Sequence, residues 1–251
     1  MADFEARKLD ELDHRTDDAS APEVFFTSVI TPESLIGAYH ALGRKPQGNV
    51  AIKIHSGESE KSNNLNPALV KDLVQELGGT LVECATAYDG NRETPEKSLA
   101  VFKERGYADI APIQIMDMGG EIEIPVAKHR HIAYDIVGKH IDDYDSIFVL
   151  SHFKGHPMGG FGGALKNVSI GIASSNGKRW IHSAGVATDH WVETAQDDFL
   201  ESTGRSRRGG DQPHAWQHDV SERHEPPVRG LRLLTHPIRT RHARYRRVVI
   251  A

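Results

Sequence analysis

Residues 66–85 read NPALVKDLVQELGGTLVECA, and this stretch decides the fold. Asn66 supplies an N-cap oxygen, Pro67 fits the first helical position, and the Gly78-Gly79 pair ends the helix. Thr80–Ala85 then has the apolar, β-prone composition of a buried strand. The same grammar recurs on both sides. Upstream, TPESLIGAYHALG (31–43) offers Thr31, Pro32 and Gly43, followed by the strand-like NVAIKI (49–54). Downstream, TPEKSLAVFKERG (94–106) offers Thr94, Pro95 and Gly106, followed by IAPIQI (110–115). Helices of ten to thirteen residues alternating with short apolar runs predict an α/β fold, a largely parallel sheet flanked by helices.

The remaining elements are read from the same signals. EVFFTSVI (23–30), EIEIPV (121–126) and SIFVLSHF (146–153) are expected as strands. HIAYDIVGKHIDDYD (131–145) is expected to be helical in part, and a helix is expected to begin within GGALKNVSIGIAS (162–174). Residues 1–22 read as a polar arm, 23–202 as the α/β domain, and 203–251 as a separate tail.

Composition narrows the class. The chain has 251 residues, 38% hydrophobic and 26% charged, which is ordinary for a globular protein able to bury a core. No run of eighteen apolar residues suggests a membrane span, and the charged N-terminus lacks the apolar stretch of a secretory signal. The single cysteine, Cys84, rules out an intrachain disulfide and fits a reducing, cytoplasmic setting. A net charge of −5 argues against nucleic acid as partner. That charge is unevenly spread. Residues 1–200 carry −11 and residues 201–251 carry +6, with eleven arginines, no lysine and five acids in the latter.

Open parallel sheets bind ligands beyond the carboxyl ends of their strands. Lys53, His55, Cys84 and His152 all fall at or just past such ends. The richest stretch is SHFKGHPMGGFGGALKN (151–167), with two histidines, two lysines and five glycines. His152 and His156 are spaced i, i+4, but Gly155 and Pro157 argue against the helix that would align them on a metal. Metal ligation by Cys84, His152 and His156 therefore stands beside a second reading, hydrogen-bonded loop histidines. Gly159, Gly160, Gly162 and Gly163 permit a nest of backbone N–H groups, to which Lys154, Lys166 and Asn167 would add charge and polarity for an anion. The alternative is a plain glycine-rich turn. The stretch matches neither the phosphate-loop pattern nor the dinucleotide fingerprint. His152, His156 and Lys53 are the candidates for proton transfer. No acid at fixed spacing orients a histidine for hydrolysis.

These residues carry a resemblance. VLSHFKGHPMGGFGGALKNVSIGIASSNGK (149–178) resembles the signature of domain-of-unknown-function family 362, and more narrowly its bacterial group of uncharacterised iron–sulfur centre proteins. VFFTSVITPESLIGAYHALG, VAIKIHSGE, LVECATAYDGNR and IHSAG resemble the same group, over about residues 24–202. Lys53, Glu83, Cys84, His152, Lys154, His156, Lys166, Asn167 and His182 match family-typical positions. The resemblance implies an iron–sulfur cluster or other metal in the intact family, and a redox partner. It does not imply a reaction. With Cys84 alone, a cluster bound by this chain by itself is not expected. The rival readings are an enzyme acting on a small anionic metabolite through His and Lys residues, and a non-catalytic ligand-binding domain. Oligomeric state is open.

The likeness stops near Glu201, where the group has an amphipathic helix and a DCDC-like segment. Codon arithmetic offers a cause. Shifted by one nucleotide, the codons for residues 204–215 can spell an amphipathic helix, and those for VRGLRLL (228–234) can spell SVDCDC. The tail is therefore read as frameshift-derived, the domain as incomplete at its C-terminus, and residues 203–251 as poorly ordered and outside the core. Sequencing the coding DNA around codon 203 tests this: the +1 frame is expected to encode those peptides, and its failure to do so removes the frameshift reading.

Overall fold

The computed structural model describes residues 25, 27, 29–57, 64–126, 129–206, 234–239 and 245–250, with side chains through 204. The expectations for the arm 1–22 and for 207–233 lie outside these residues. In chain order, the elements begin with α1 (Pro32–Ala41), β1 (Val50–Lys53), α2 (Pro67–Leu77), β2 (Thr80–Glu83), α3 (Pro95–Glu104) and β3 (Ile113–Ile115). Next come β4 (Glu121–Pro125), β5 (Tyr134–Gly138), β6 (Ser146–Val149), β7 (Lys154–His156) and β8 (Gly160–Gly162). The last are α4 (Ala164–Val168), α5 (Ser175–His182), α6 (Gln196–Ser206), β9 (Leu234–Arg239) and β10 (Tyr245–Ile250).

The three expected N-caps are in place. Thr31 accepts from the Ser34 N–H while the Ser34 hydroxyl accepts from the Thr31 N–H, a reciprocal capping box. Asn66 accepts from Ala68 N–H at 2.9 Å, and Thr94 from Lys97 N–H at 3.3 Å. Gly78 closes α2 at φ 61°, a left-handed position that favours glycine.

The strands β3-β2-β1-β6 form a four-strand block, parallel throughout. The chain winds β1→β2→β3 in one direction and then returns to place β6 on the other side of β1. The order thus reverses between β1 and β6, and such a switch point opens a crevice at the carboxyl ends of the two strands. Side-chain alternation sorts the sheet residues onto two cores. Ile52, Ile54, Leu81, Phe148 and Leu150 pack with residues of α1, α2 and α3. Ala51, Val82, Cys84, Ile147 and Val149 pack on the opposite face, with Val137 of β5 and Val168 of α4. Lys53, two residues after Ala51, is directed to that second face and is fully buried.

Two expectations give way. Among the described residues of 23–30, none forms a strand, and Val29 and Ile30 are 58% and 62% exposed. Their backbone serves the start of α1 instead: Val29 N–H donates to Thr27 Oγ1, and Val29 O accepts from Ser34 Oγ. Residues 131–145 hold no α-helix. Tyr134–Gly138 pairs antiparallel with β4, and a short 3₁₀ turn follows at Lys139–Asp143. The alternating EIEIP of β4 needs a partner, and Gly138 lies so close to the Met116 backbone that a Cβ there would sit 2.3 Å from its carbonyl carbon.

The arginine-rich segment contributes β10, which runs parallel to β6, and β9, which returns antiparallel at the sheet edge. The sequence reading put residues 203–251 outside the core, and these two strands join the sheet through backbone pairing. The outer edge of β6 offers unpaired N–H and C=O groups, which an extended backbone can satisfy whatever side chains it carries. Pro237 falls on the outermost strand, where a missing donor is tolerated.

Thr94→Ala is expected to lower stability by about 0.5–2 kcal/mol, a few degrees of melting temperature for a domain of this size. Gly79→Ala is expected to cost more, because its Cβ would meet the Val50 carbonyl oxygen at 2.6 Å. Thermal unfolding of both variants followed by circular dichroism checks the order.

Candidate functional site at the strand-order reversal

Lys53 ends β1 beside the switch point, fully buried. Its Nζ donates to the Ile54 carbonyl at 2.9 Å and to Asn167 Oδ1 at 2.6 Å. Asn167 sits on α4, the short helix that follows the glycine stretch. Its amide donates to Ser151 Oγ at 2.8 Å, just past β6. One side chain therefore clasps the two strands that flank the switch point. Burial lowers the Lys53 amine to about 8, against the pull of Glu83 and Cys84.

Glu83 ends the neighbouring strand β2 and is 3% exposed. Its Oε1 meets Arg92 Nη1 at 2.8 Å and His55 Nδ1 at 3.0 Å. Its Oε2 accepts from Ser56 Oγ at 2.6 Å and Ser56 N–H at 3.2 Å. Burial pushes this carboxyl up, but Arg92, His55 and Lys53 together outweigh it and hold it well below the usual carboxylate value. Arg92 is itself 3% exposed, on a loop folded back so that its carbonyl accepts from Thr86 N–H at 2.8 Å.

On the far side of Lys53 lies α5. Ser174 caps it, and Asp117 accepts from Ala85 N–H and Ser175 N–H, joining the end of β2 to the helix start. Lys178 is buried and donates to the Ala173 carbonyl at 2.5 Å. It also acts on Lys53, on His182 and on Asp135 of β5. Asp135 is 1% exposed, and neither carboxyl oxygen has a hydrogen-bond partner. Burial raises it well above its usual value, against smaller pulls from the Ile136 amide and Lys178. His182 packs between Phe199 and Trp191, with ring centroids 4.7 and 4.6 Å away. Burial lowers it to about 3, and Lys166, His156 and Lys178 push the same way.

The glycine stretch folds as the β7–β8 hairpin rather than as an open loop. Gly159 N–H donates to His156 Nδ1 at 3.0 Å and Phe161 N–H to the Gly159 carbonyl, so the hairpin uses these amides for its own closure. Gly160 takes φ 69° at the turn; Gly162 pairs with Lys154 and Gly163 precedes α4. Phe153 and Phe161 pack on each other at 5.3 Å, and both remain about half exposed. His152 Nδ1 is buried without a partner, and burial, with Lys154 nearby, lowers this ring's pKa.

Cys84 is a buried thiol. Burial pushes it up to about 12, and it donates to the Ile172 carbonyl at 3.3 Å. Among the described residues, no three His, Cys, Asp or Glu side chains converge as a metal site. An iron–sulfur cluster needs several thiolates. With one protonated cysteine, the residues of this chain do not fit a cluster held by this chain alone.

The structure therefore joins Lys53, Asn167 and Ser151 directly, and links Lys166, His156 and Lys178 through His182. Cys84 donates to the Ile172 carbonyl, and His156 accepts from Gly159 N–H. Sequence reasoning missed the Glu83–His55–Arg92 network. Its signal was the pairing of β1 and β2 in parallel, Lys53 opposite Val82, which sets their two ends side by side.

These features define an α/β domain with buried Lys53, Glu83 and Arg92 gathered at the carboxyl ends of β1 and β2, beside the reversal of strand order. The sequence matches the family model described as Domain of unknown function (DUF362) over residues 50–222, more than half of the chain, and the protein belongs to that family. No curated protein matches it. No helix among the described residues is long and apolar enough to cross a membrane.

Arg92→Leu leaves Glu83 buried without its main counter-charge and is expected to cost about 3–5 kcal/mol. The His182 contribution has a defined sign. Its pKa is about 3 in the fold against 6.5 when free, so the unfolded chain takes up a proton first. Stability from this group is complete above pH 6.5 and falls as pH drops toward 3. Replacing His182 by Phe is expected to flatten that part of the urea-midpoint-against-pH curve.

Proposed function

We propose that this domain binds a small anionic metabolite in the crevice between β1 and β6, with Lys53 as the amine at its base. The observation that carries the reading is a convergence of cations. Lys178 acts on Lys53, and Lys166 and Lys178 act on His182. Of the acids nearby, Glu83 is shared between Arg92 and Lys53, and burial raises the pKa of Asp135 well above its usual value. Like charges held together in a low-dielectric setting are costly, and an anion placed among them relieves the cost. Carboxylates and phosphates are the chemistry that fits. A lysine near pKa 8 is also close to the range in which an amine can exchange a proton at neutral pH, which supports an enzyme acting on that anion rather than a passive binder.

The iron–sulfur reading rests on sequence likeness; iron and acid-labile sulfide assays on the purified chain address it separately.

Calorimetric titration with oxalate and with inorganic phosphate tests the anion site. Binding is expected to weaken as salt rises. Lys166→Ala is expected to weaken it about tenfold, or ~1.4 kcal/mol. Absence of any binding tighter than about 1 mM, ~4 kcal/mol, overturns the reading.

A further inference from the structure

The β4–β5 pair stands apart from the main sheet, and among the described residues β5 is the one strand that β4 pairs with. Its register shows which backbone groups that pairing uses. Opposite residues of an antiparallel pair alternate between those that exchange N–H···O bonds and those that do not. Two bonds flanking the strands fix the phase. Lys139 N–H donates to the Gly120 carbonyl, and Val126 N–H to the Ala133 carbonyl. Carried through the register, this phase makes Ile122 opposite Val137, and Ile124 opposite Asp135, the residues that bond to β5. Glu121, Glu123 and Pro125 then turn their backbone groups the other way, off the open edge. The far side of β5 agrees with this phase: Ile136, opposite Glu123, turns its carbonyl outward to Ser174 N–H at 3.0 Å.

The open edge therefore carries the N–H groups of Glu121 and Glu123 and the carbonyls of Glu121, Glu123 and Pro125. All three residues are exposed, whereas Ile122 and Ile124 are half-buried against the core that holds Val137 and Cys84. Pro125 falls where its missing N–H takes nothing from the pairing with β5. Charge on an edge strand repels unwanted strands, but here the charge has one sign. The Glu121 and Glu123 side chains share a face, and Glu121 is met there by a neutral donor, Asn176 Nδ2 at 3.1 Å. A strand bearing glutamate is repelled by this edge. A strand with a cation at every second position gains two opposite-charge pairs across it. The charge of −11 on residues 1–200 attracts a partner of the same sign.

We propose that the open edge of β4 docks a short extended segment of a basic partner protein, with lysine or arginine opposite Glu121 and Glu123 and an apolar residue between them. The backbone groups of Glu121 and Glu123 supply the pairing, the two carboxylates select the charge, and the apolar residue continues the Ile122–Ile124 face. This surface is independent of the anion site.

The test is amide hydrogen exchange on the full chain, read residue by residue by NMR, with and without a capped peptide alternating lysine and valine. In the free protein, the Ile122 and Ile124 amides are expected to exchange slowly and those of Glu121 and Glu123 fast. Saturating peptide is expected to slow Glu121 and Glu123 by about tenfold or more and to leave Ile122 and Ile124 unchanged. The same peptide with glutamate in place of lysine is expected to protect neither. Glu123→Lys, a change at an exposed position, is expected to raise the peptide concentration for half-protection of Glu121 about fivefold. Glu121 and Glu123 amides that are already slow in the free chain mean a covered edge and overturn the inference. Lack of protection by the lysine peptide overturns it as well, since the edge charges then serve only to repel strands. Equal protection by both peptides also overturns it, because the carboxylates then select nothing.

Discussion

The Glu83 carboxylate is the constraint on which the carboxyl end of the sheet depends. It is sealed from water at the end of β2, and a buried charge of this kind is tolerated only when paired and hydrogen-bonded. Its partners come from two other segments: His55 and Ser56 just past β1, and Arg92 from the loop before α3. Satisfying one carboxylate therefore fixes how β1 ends, how the β2–α3 loop folds back, and how one imidazole is turned. Removing the arginine alone leaves a charge without compensation; removing the carboxylate alone leaves a buried guanidinium in the same state.

Across the crevice the constraint is opposite in sign. Lys53 is held between β1 and β6 by Asn167, and α5 brings Lys178 and His182 toward the same place. The fold tolerates this by lowering the pKa of the amine and of the imidazole. Each adjustment reduces the charge that the protein carries when no anion is present. Binding an anion would reverse them, so ligand affinity and proton uptake are expected to be linked.

Legibility in the sequence followed the range of the interactions. The helices were readable because Thr31, Asn66 and Thr94 act within three residues of themselves, and Gly78 ends α2 through its own backbone geometry. The parallel block followed from their alternation with short apolar runs. β5 was not readable, because its strand state depends on β4 and on the close approach of Gly138 to Met116, neither of which leaves a local pattern. Among the site residues, Lys53 was legible from its place at a strand end, and Lys166, Asn167 and His156 from the composition of the glycine-rich stretch. The pairing of His55 with Glu83 was not, since 28 residues separate them and only strand register makes them neighbours. The glycine stretch was legible as special but not as a hairpin, because glycine permits many backbones and specifies none.

The account stands most directly on Glu83 being ionised in the folded protein. Carbon-13 NMR of selectively labelled glutamate, titrated on the folded chain with Glu83 assigned through a Glu83→Gln variant, measures this. The account predicts a Glu83 carboxyl signal that stays in its ionised position as pH falls through 4.5, the ordinary glutamate value, and moves only well below it. A Glu83 signal that titrates at or above 4.5 would mean a neutral acid at the end of β2, with no ion pair to Arg92, and would contradict the account.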